Sequence, residues 1–198
     1  MISVDSDPKP VVRGYQEFVE EKIQEGWTPY ILTFMFNQMK GSPTAVLTRM
    51  GKELERIYAT MLTRIIRNPT SASANGQLPI WIGCPDFPVP KHARQNLASV
   101  TINDGLHVHA VALIPPRSRL KEPLSTHLRA NQGLYVGHRR IVSRIRADLI
   151  DSSPGYVTGY VLKSISRRRF DTDRILVFPR SLTELDRDDF SRAHPPHS

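Results

Sequence analysis

One segment constrains the fold more than any other. Leu106 to Ile114 is an apolar run interrupted only by His107 and His109. It is bounded by the turn signal Asn103-Asp104-Gly105 in front and by Pro115-Pro116 behind. A bounded run of that length, rich in β-branched residues, reads as a buried strand, and a strand needs partners. The chain supplies them. Trp27 to Phe36 is aromatic and β-branched, Leu78 to Gly83 is short and apolar, Ile141 to Ile150 follows a basic stretch, and Arg174 to Phe178 comes last. Leu97 to Asn103 reads as a strand that would form a hairpin with Leu106–Ile114.

Helical periodicity is found in fewer places. Thr44 to Arg67 repeats apolar residues at helical spacing through Leu47, Met50, Leu54, Ile57, Tyr58, Met61, Leu62 and Ile65, after a Gly41-Ser42-Pro43 start signal. Shorter helices are expected at Tyr15–Gln24, ended by Gly26, near Leu124–Ala130, and at Tyr156–Ser164 after Ser152-Ser153-Pro154. A proline-rich loop is expected after Gly83, through Pro90. The fold expected is α+β, with a central, mainly antiparallel sheet flanked by helices. At 198 residues the chain has room for one sizeable core: a flexible arm over 1–12, a single domain over 13–180 and a disordered tail over 181–198.

Composition narrows the function. No apolar run approaches the roughly 20 residues that span a bilayer, and the start of the chain has acids where a secretory signal needs bases, so a cytoplasmic protein with no membrane partner is expected. The single cysteine, Cys84, excludes an internal disulfide and a cysteine-rich zinc module, and reads as a small buried hydrophobe. Lys and Arg number 27 against 19 Asp and Glu, a formal net charge of +8. Arginine forks match phosphate oxygens, so the balance favours a polyanion.

Two constellations could carry chemistry. On a strand His107 and His109 point to one side, which suits a divalent metal, and equally suits two half-buried histidines bonded to neighbours. In a helix Tyr156 and Tyr160 lie one turn apart with Lys163 near the same face, which suits a nucleophile with a cation beside it, or two tyrosines packed on a sheet.

Taken together the two change weight. A hydrophobic-His-hydrophobic-His strand, here Leu106-His107-Val108-His109-Ala110, is followed about fifty residues later by Tyr160-Val-Leu-Lys163. The pattern resembles the HUH endonuclease superfamily. Tyr30 to Phe36 is similar to the first motif of its rolling-circle replication initiators. The tyrosines four apart are similar to the phage gene-A-type initiators, although Gly159 stands where several of those carry a lysine. The resemblance implies an HUH/RRM-like fold and a metal-dependent endonuclease that nicks single-stranded DNA at an origin and rejoins strands. It implies Tyr160 as nucleophile, Lys163 as charge neutraliser and Tyr156 as a second acceptor. It also implies Mg²⁺ or Mn²⁺ on His107, His109 and a third ligand. Asp104 is the candidate for that ligand, with Glu53 and Glu55 on the long helix as others. Backbone contacts would come from Arg139, Arg140, Arg144, Arg146, Arg167, Arg168 and Arg169, and a helicase would be a separate host or element-encoded protein. The competing expectations are a DNA-binding regulator that keeps this fold without activity and a histidine-metal enzyme unrelated to DNA.

Overall fold

The computed structural model describes residues 7–71, 74, 76–86 and 107–180. It is an α+β fold built on one five-stranded, wholly antiparallel sheet. The strands are β1 (Thr28–Phe36), β2 (Ile80–Asp86), β3 (His107–Ile114), β4 (Val142–Leu149) and β5 (Leu176–Phe178), in the order β4-β1-β3-β2-β5. The helices are α1 (Lys9–Gln24), α2 (Pro43–Ile65), α3 (Leu124–Ala130), α4 (Gln132–Tyr135), α5 (Pro154–Val161) and α6 (Lys163–Ser166).

β3 lies at the centre, and its last five residues are all buried. Both faces of the sheet are covered by helices, so the strand reads as a continuous apolar run instead of an alternating one. One core joins Leu32, Phe34, Val108, Ala110 and Trp81 to Met50, Leu54, Ile57 and Met61 of α2 and to Leu124 and Leu128 of α3. The other joins Ile82, Cys84, Val111 and Leu113 to Val12 and Val19 of α1, Val161 of α5 and Ile165 of α6. The molecule therefore has three layers, with the sheet in the middle. Among the described residues no helix is long and apolar enough to cross a membrane.

Several boundaries differ from expectation. The expected arm over 1–12 is partly helical, since α1 starts at Lys9 and buries Val12. Pro10 sits in its first turn, where the missing N–H has no helical partner to lose. Gly26 at φ 89° closes α1, with Trp27 N–H on Lys22 O and Gly26 N–H on Ile23 O. This paired capping asks for a left-handed residue. Ser42 Oγ accepts from Ala45 N–H at 3.3 Å to start α2.

The expected loop after Gly83 is strand as far as Asp86. β5 pairs only with Trp81, Ile82 and Gly83, so among the described residues that side of β2 is unpaired at Pro85 and its missing N–H breaks no ladder. The expected single helix Tyr156–Ser164 is broken at Leu162 into α5 and α6. Both edges of β3 are paired, with β1 and with β2. The strand expected at Leu97–Asn103, its turn and the tail over 181–198 lie outside the described residues.

Candidate active site

The register of the sheet builds the site. His107 lies opposite Asp86 of β2 and Met35 of β1, and Met35 lies opposite Arg144 of β4. Two residues along, His109 lies opposite Cys84 and Thr33, and Thr33 lies opposite Arg146. Directly opposed residues share a face of a sheet. Asp86, His107, His109, Arg144 and Arg146 therefore stand in two rows on one face, the face covered by α1, α5 and α6.

The two imidazole rings have centroids 4.8 Å apart at 71°. His109 Nδ1 shares a hydrogen bond with Thr33 Oγ1 at 3.2 Å. Burial, then His107 and Lys163, push the His109 pKa down to about 4 against the opposing pull of Asp86. His109 is thus neutral at pH 7, with one ring nitrogen a donor and the other an acceptor.

α5 brings Tyr160 over this face. Its ring centroid is 5.5 Å from that of His109, and 41% of the residue remains exposed. Lys163 opens α6 yet still reaches the ring, with Nζ 4.4 Å from the Tyr160 centroid. Tyr156 lies one turn earlier, 75% exposed. Both tyrosines line a hollow of about 360 Å³ with Ile31, Leu149, Asp151 and Val157. Gly159 faces α1, and a Cβ there would come within 2.9 Å of Gln16 Nε2. Position 159 is thus a packing contact.

Asp86 ties the parts together. Its Oδ2 lies 2.6 Å from Lys163 Nζ and 3.4 Å from His107 Nε2, and its Oδ1 accepts from Ser164 Oγ at 3.0 Å. Arg169 Nη1 stands 4.0 Å from Oδ1. Burial alone would raise the carboxyl's pKa, but the bond and charge of Lys163, then Ser164 and His107, outweigh it and hold the group below the ordinary range.

Other candidates fall elsewhere. Asp104 lies outside the described residues. Glu53 and Glu55 belong to α2, on the opposite layer, where they pair with Arg56 and Arg180. That placement removes them as ligands of this site. Arg139 and Arg140 are exposed in the turn before β4, and Arg146 pairs with Asp148 at 2.8 Å. Arg167 and Arg168 follow α6, with Arg168 at φ 52°. Cys84 is buried, its thiol pushed up to about 12, chiefly by burial.

The donor set suits a divalent ion in part. Two donors each about 2.1 Å from one ion lie roughly 3.0–3.4 Å apart in octahedral or tetrahedral arrangements, and His107 Nε2 and Asp86 Oδ2 stand at 3.4 Å. Among the described residues, no group of three His, Cys, Asp or Glu side chains already has the arrangement of a metal site. Asp86 is the member of this cluster that sequence reasoning missed; its signal, an acid two residues beyond Cys84, was hidden by the neighbouring prolines. No protein-family model, no curated protein and no solved structure matches this chain.

Proposed function

We propose that the protein is an HUH-like initiator endonuclease that cuts and rejoins single-stranded DNA through a phosphotyrosyl intermediate. The observation that carries this reading is the meeting of Tyr160, Lys163, His109, His107 and Asp86 on one sheet face, from three separate stretches of chain.

His107 and Asp86, with donor atoms 3.4 Å apart, would offer two ligands to Mg²⁺ or Mn²⁺, and His109 lies beside them on the same face; such an ion, when bound, would withdraw electrons from the scissile phosphate. The chain's own residues do the rest. Tyr160 Oη attacks phosphorus, the bond to the 3′ oxygen breaks, and the tyrosine is left carrying the 5′-phosphate of the downstream strand. The phenolic proton passes to solvent, to which Tyr160 is open, and the departing 3′ oxygen takes a proton from water. The ammonium of Lys163 stands over the Tyr160 ring, where it would offset the charge gathering on the attacked phosphate. Asp86 fixes that ammonium by direct contact. Reversal of the same step by a 3′ hydroxyl rejoins the strand. Arg144 and Arg146 form the outer end of the two rows and lie where a strand crossing β4 would meet its first cations.

The test is incubation with a mixed pool of single-stranded oligonucleotides and Mn²⁺, followed by denaturing electrophoresis. A protein band shifted by covalent DNA supports the reading. Salt-sensitive binding without an adduct would assign the protein to the non-catalytic regulators instead, and no binding would overturn both.

A further inference from the structure

The opposite corner of the molecule carries a second concentration of positive charge. β3 leaves the sheet at Ile114, and the chain then runs through Arg117, Arg119 and Lys121 beside the end of α2, where Arg119 N–H donates to Ile65 O at 2.9 Å. The end of α2 and the residues after it add Arg64 and Arg67. All of these cations are exposed. Two hollows adjoin here and share Arg119. One, of about 350 Å³, is lined by Thr63, Arg64, Arg119, Lys121, Glu122 and His127. The other, of about 270 Å³, includes Arg67, Asn68, Ser71, Arg117 and Arg119.

Their charges are uncompensated among the described residues. Arg13, Arg56, Arg146, Arg174 and Arg180 each have a carboxylate partner. Arg64, Arg67, Arg117, Arg119 and Lys121 have no ion-pair partner among the described residues. The one carboxylate in the lining, Glu122, faces His127 Nδ1 at 3.5 Å. Five like charges held together without counter-ions repel one another and leave a standing potential that an anion relieves. They are spread over two adjoining hollows and do not converge on one point. A row of phosphates fits that spread better than a single phosphate does.

We infer that this corner is a second nucleic-acid surface, binding phosphates of a DNA segment distinct from the one being cut. The inference rests on the proposed nucleic-acid function for its ligand and on this charge arrangement for its place. The site histidines lie at the other end of β3, and eight strand residues separate the two ends by about 23 Å. The corner also lies in the layer of α2, across the sheet from Tyr160. A phosphate held here is therefore not the scissile one. The surface anchors duplex or flanking DNA while the strand to be cut is presented elsewhere.

The test uses the full chain and the triple variant Arg64→Gln/Arg119→Gln/Lys121→Gln. Anisotropy titrations at several salt concentrations, without divalent ions, compare a short single strand with a long hairpin bearing a single-stranded arm. For the hairpin the triple variant should lower the salt slope by about 2–3 and weaken binding about ten-fold or more. Adduct formation on the short strand should be unchanged. Arg13→Gln, which removes an equally exposed but ion-paired arginine, should alter neither. An unchanged hairpin slope, or an equal loss from Arg13→Gln, overturns the inference while leaving the proposed function standing. Failure of the wild-type protein to bind either DNA overturns both. Protection by inorganic phosphate that needs these three residues, with hairpin binding unaffected, would assign the corner to a small anion instead.

Discussion

Asp86 and Lys163 meet at 2.6 Å, joining the last residue of β2 to the first residue of α6. This contact fixes α6 against the sheet as well as the ammonium beside Tyr160. Asp86→Asn keeps the shape and removes the charge. Lys163 and His107 are then left half-buried without their carboxylate, and a lost hydrogen bond between charged groups costs about 1–3 kcal/mol. The midpoint of urea denaturation should fall accordingly. Adduct formation should be lost even under conditions where the variant is fully folded.

Tyr160 and Tyr156 should differ sharply. Tyr160 lies against His109 and Lys163, whereas Tyr156 projects from the outer wall of their shared hollow. Tyr160→Phe should abolish cleavage and the covalent adduct and leave DNA affinity almost intact. Tyr156→Phe should keep first-strand cleavage. Denaturing electrophoresis of labelled oligonucleotide reads both, and loss of the adduct in Tyr156→Phe alone would reverse the assignment.

Arg144 and Arg146 lie in the same cross-strand rows as His107 and His109. Changing both to Gln should weaken single-strand binding, lower the salt slope by about 0.7 for each phosphate no longer neutralised, and leave sequence preference unchanged. A slope equal to the wild type's would show that the strand does not cross β4.

The parts of this site that were legible in the sequence are those set by short-range period. A His-x-His strand must present both rings to one side, and a tyrosine pair four apart on a helix must share a side. What was not legible depends on pairing. Pro85 looks like the beginning of a loop until β5 is seen to stop at Gly83, which turns that proline into an edge residue and puts Asp86 opposite His107. Glu53 and Glu55 were plausible ligands because a helical period shows which side of α2 is apolar, not which face of the sheet it covers. The break at Leu162 had no sequence signal, yet Lys163 reaches Tyr160 regardless because its side chain is long. The basic stretch ahead of Ile141 gave no sign of a surface, since the meeting of Arg117–Lys121 with the end of α2 is a tertiary event.

The buried phenols give a pH prediction away from the site. Tyr58 donates to Pro79 O at 2.8 Å and Tyr135 shares a 2.8 Å hydrogen bond with His127. Burial raises both pKa values, that of Tyr135 to about 12, where Arg64 opposes the rise. A group that the fold keeps neutral contributes its stability below the unfolded value near 10 and loses it as the pH climbs through the folded one. Stability should therefore decline between about pH 10 and 12, followed by circular dichroism. Phenolate absorbance from these two residues should appear together with unfolding, and its appearance in the folded protein near pH 10 would contradict the burial argument.

The packing of α1 on α5 has a consequence in time. Gln16 donates to Gly155 O at 2.8 Å across 139 positions of sequence, and Gly159 receives the same side chain against its bare backbone. Contacts so distant along the chain close late, because the loop between them must be ordered first. On a ribosome, α1 therefore waits until a segment 139 positions further on has been made before it can receive α5. A chain that has made its histidine strand but not yet α5 cannot bring Tyr160 over that strand. Whatever chemistry the two share would then arrive in one late step, when α1 receives the helix that bears the tyrosine.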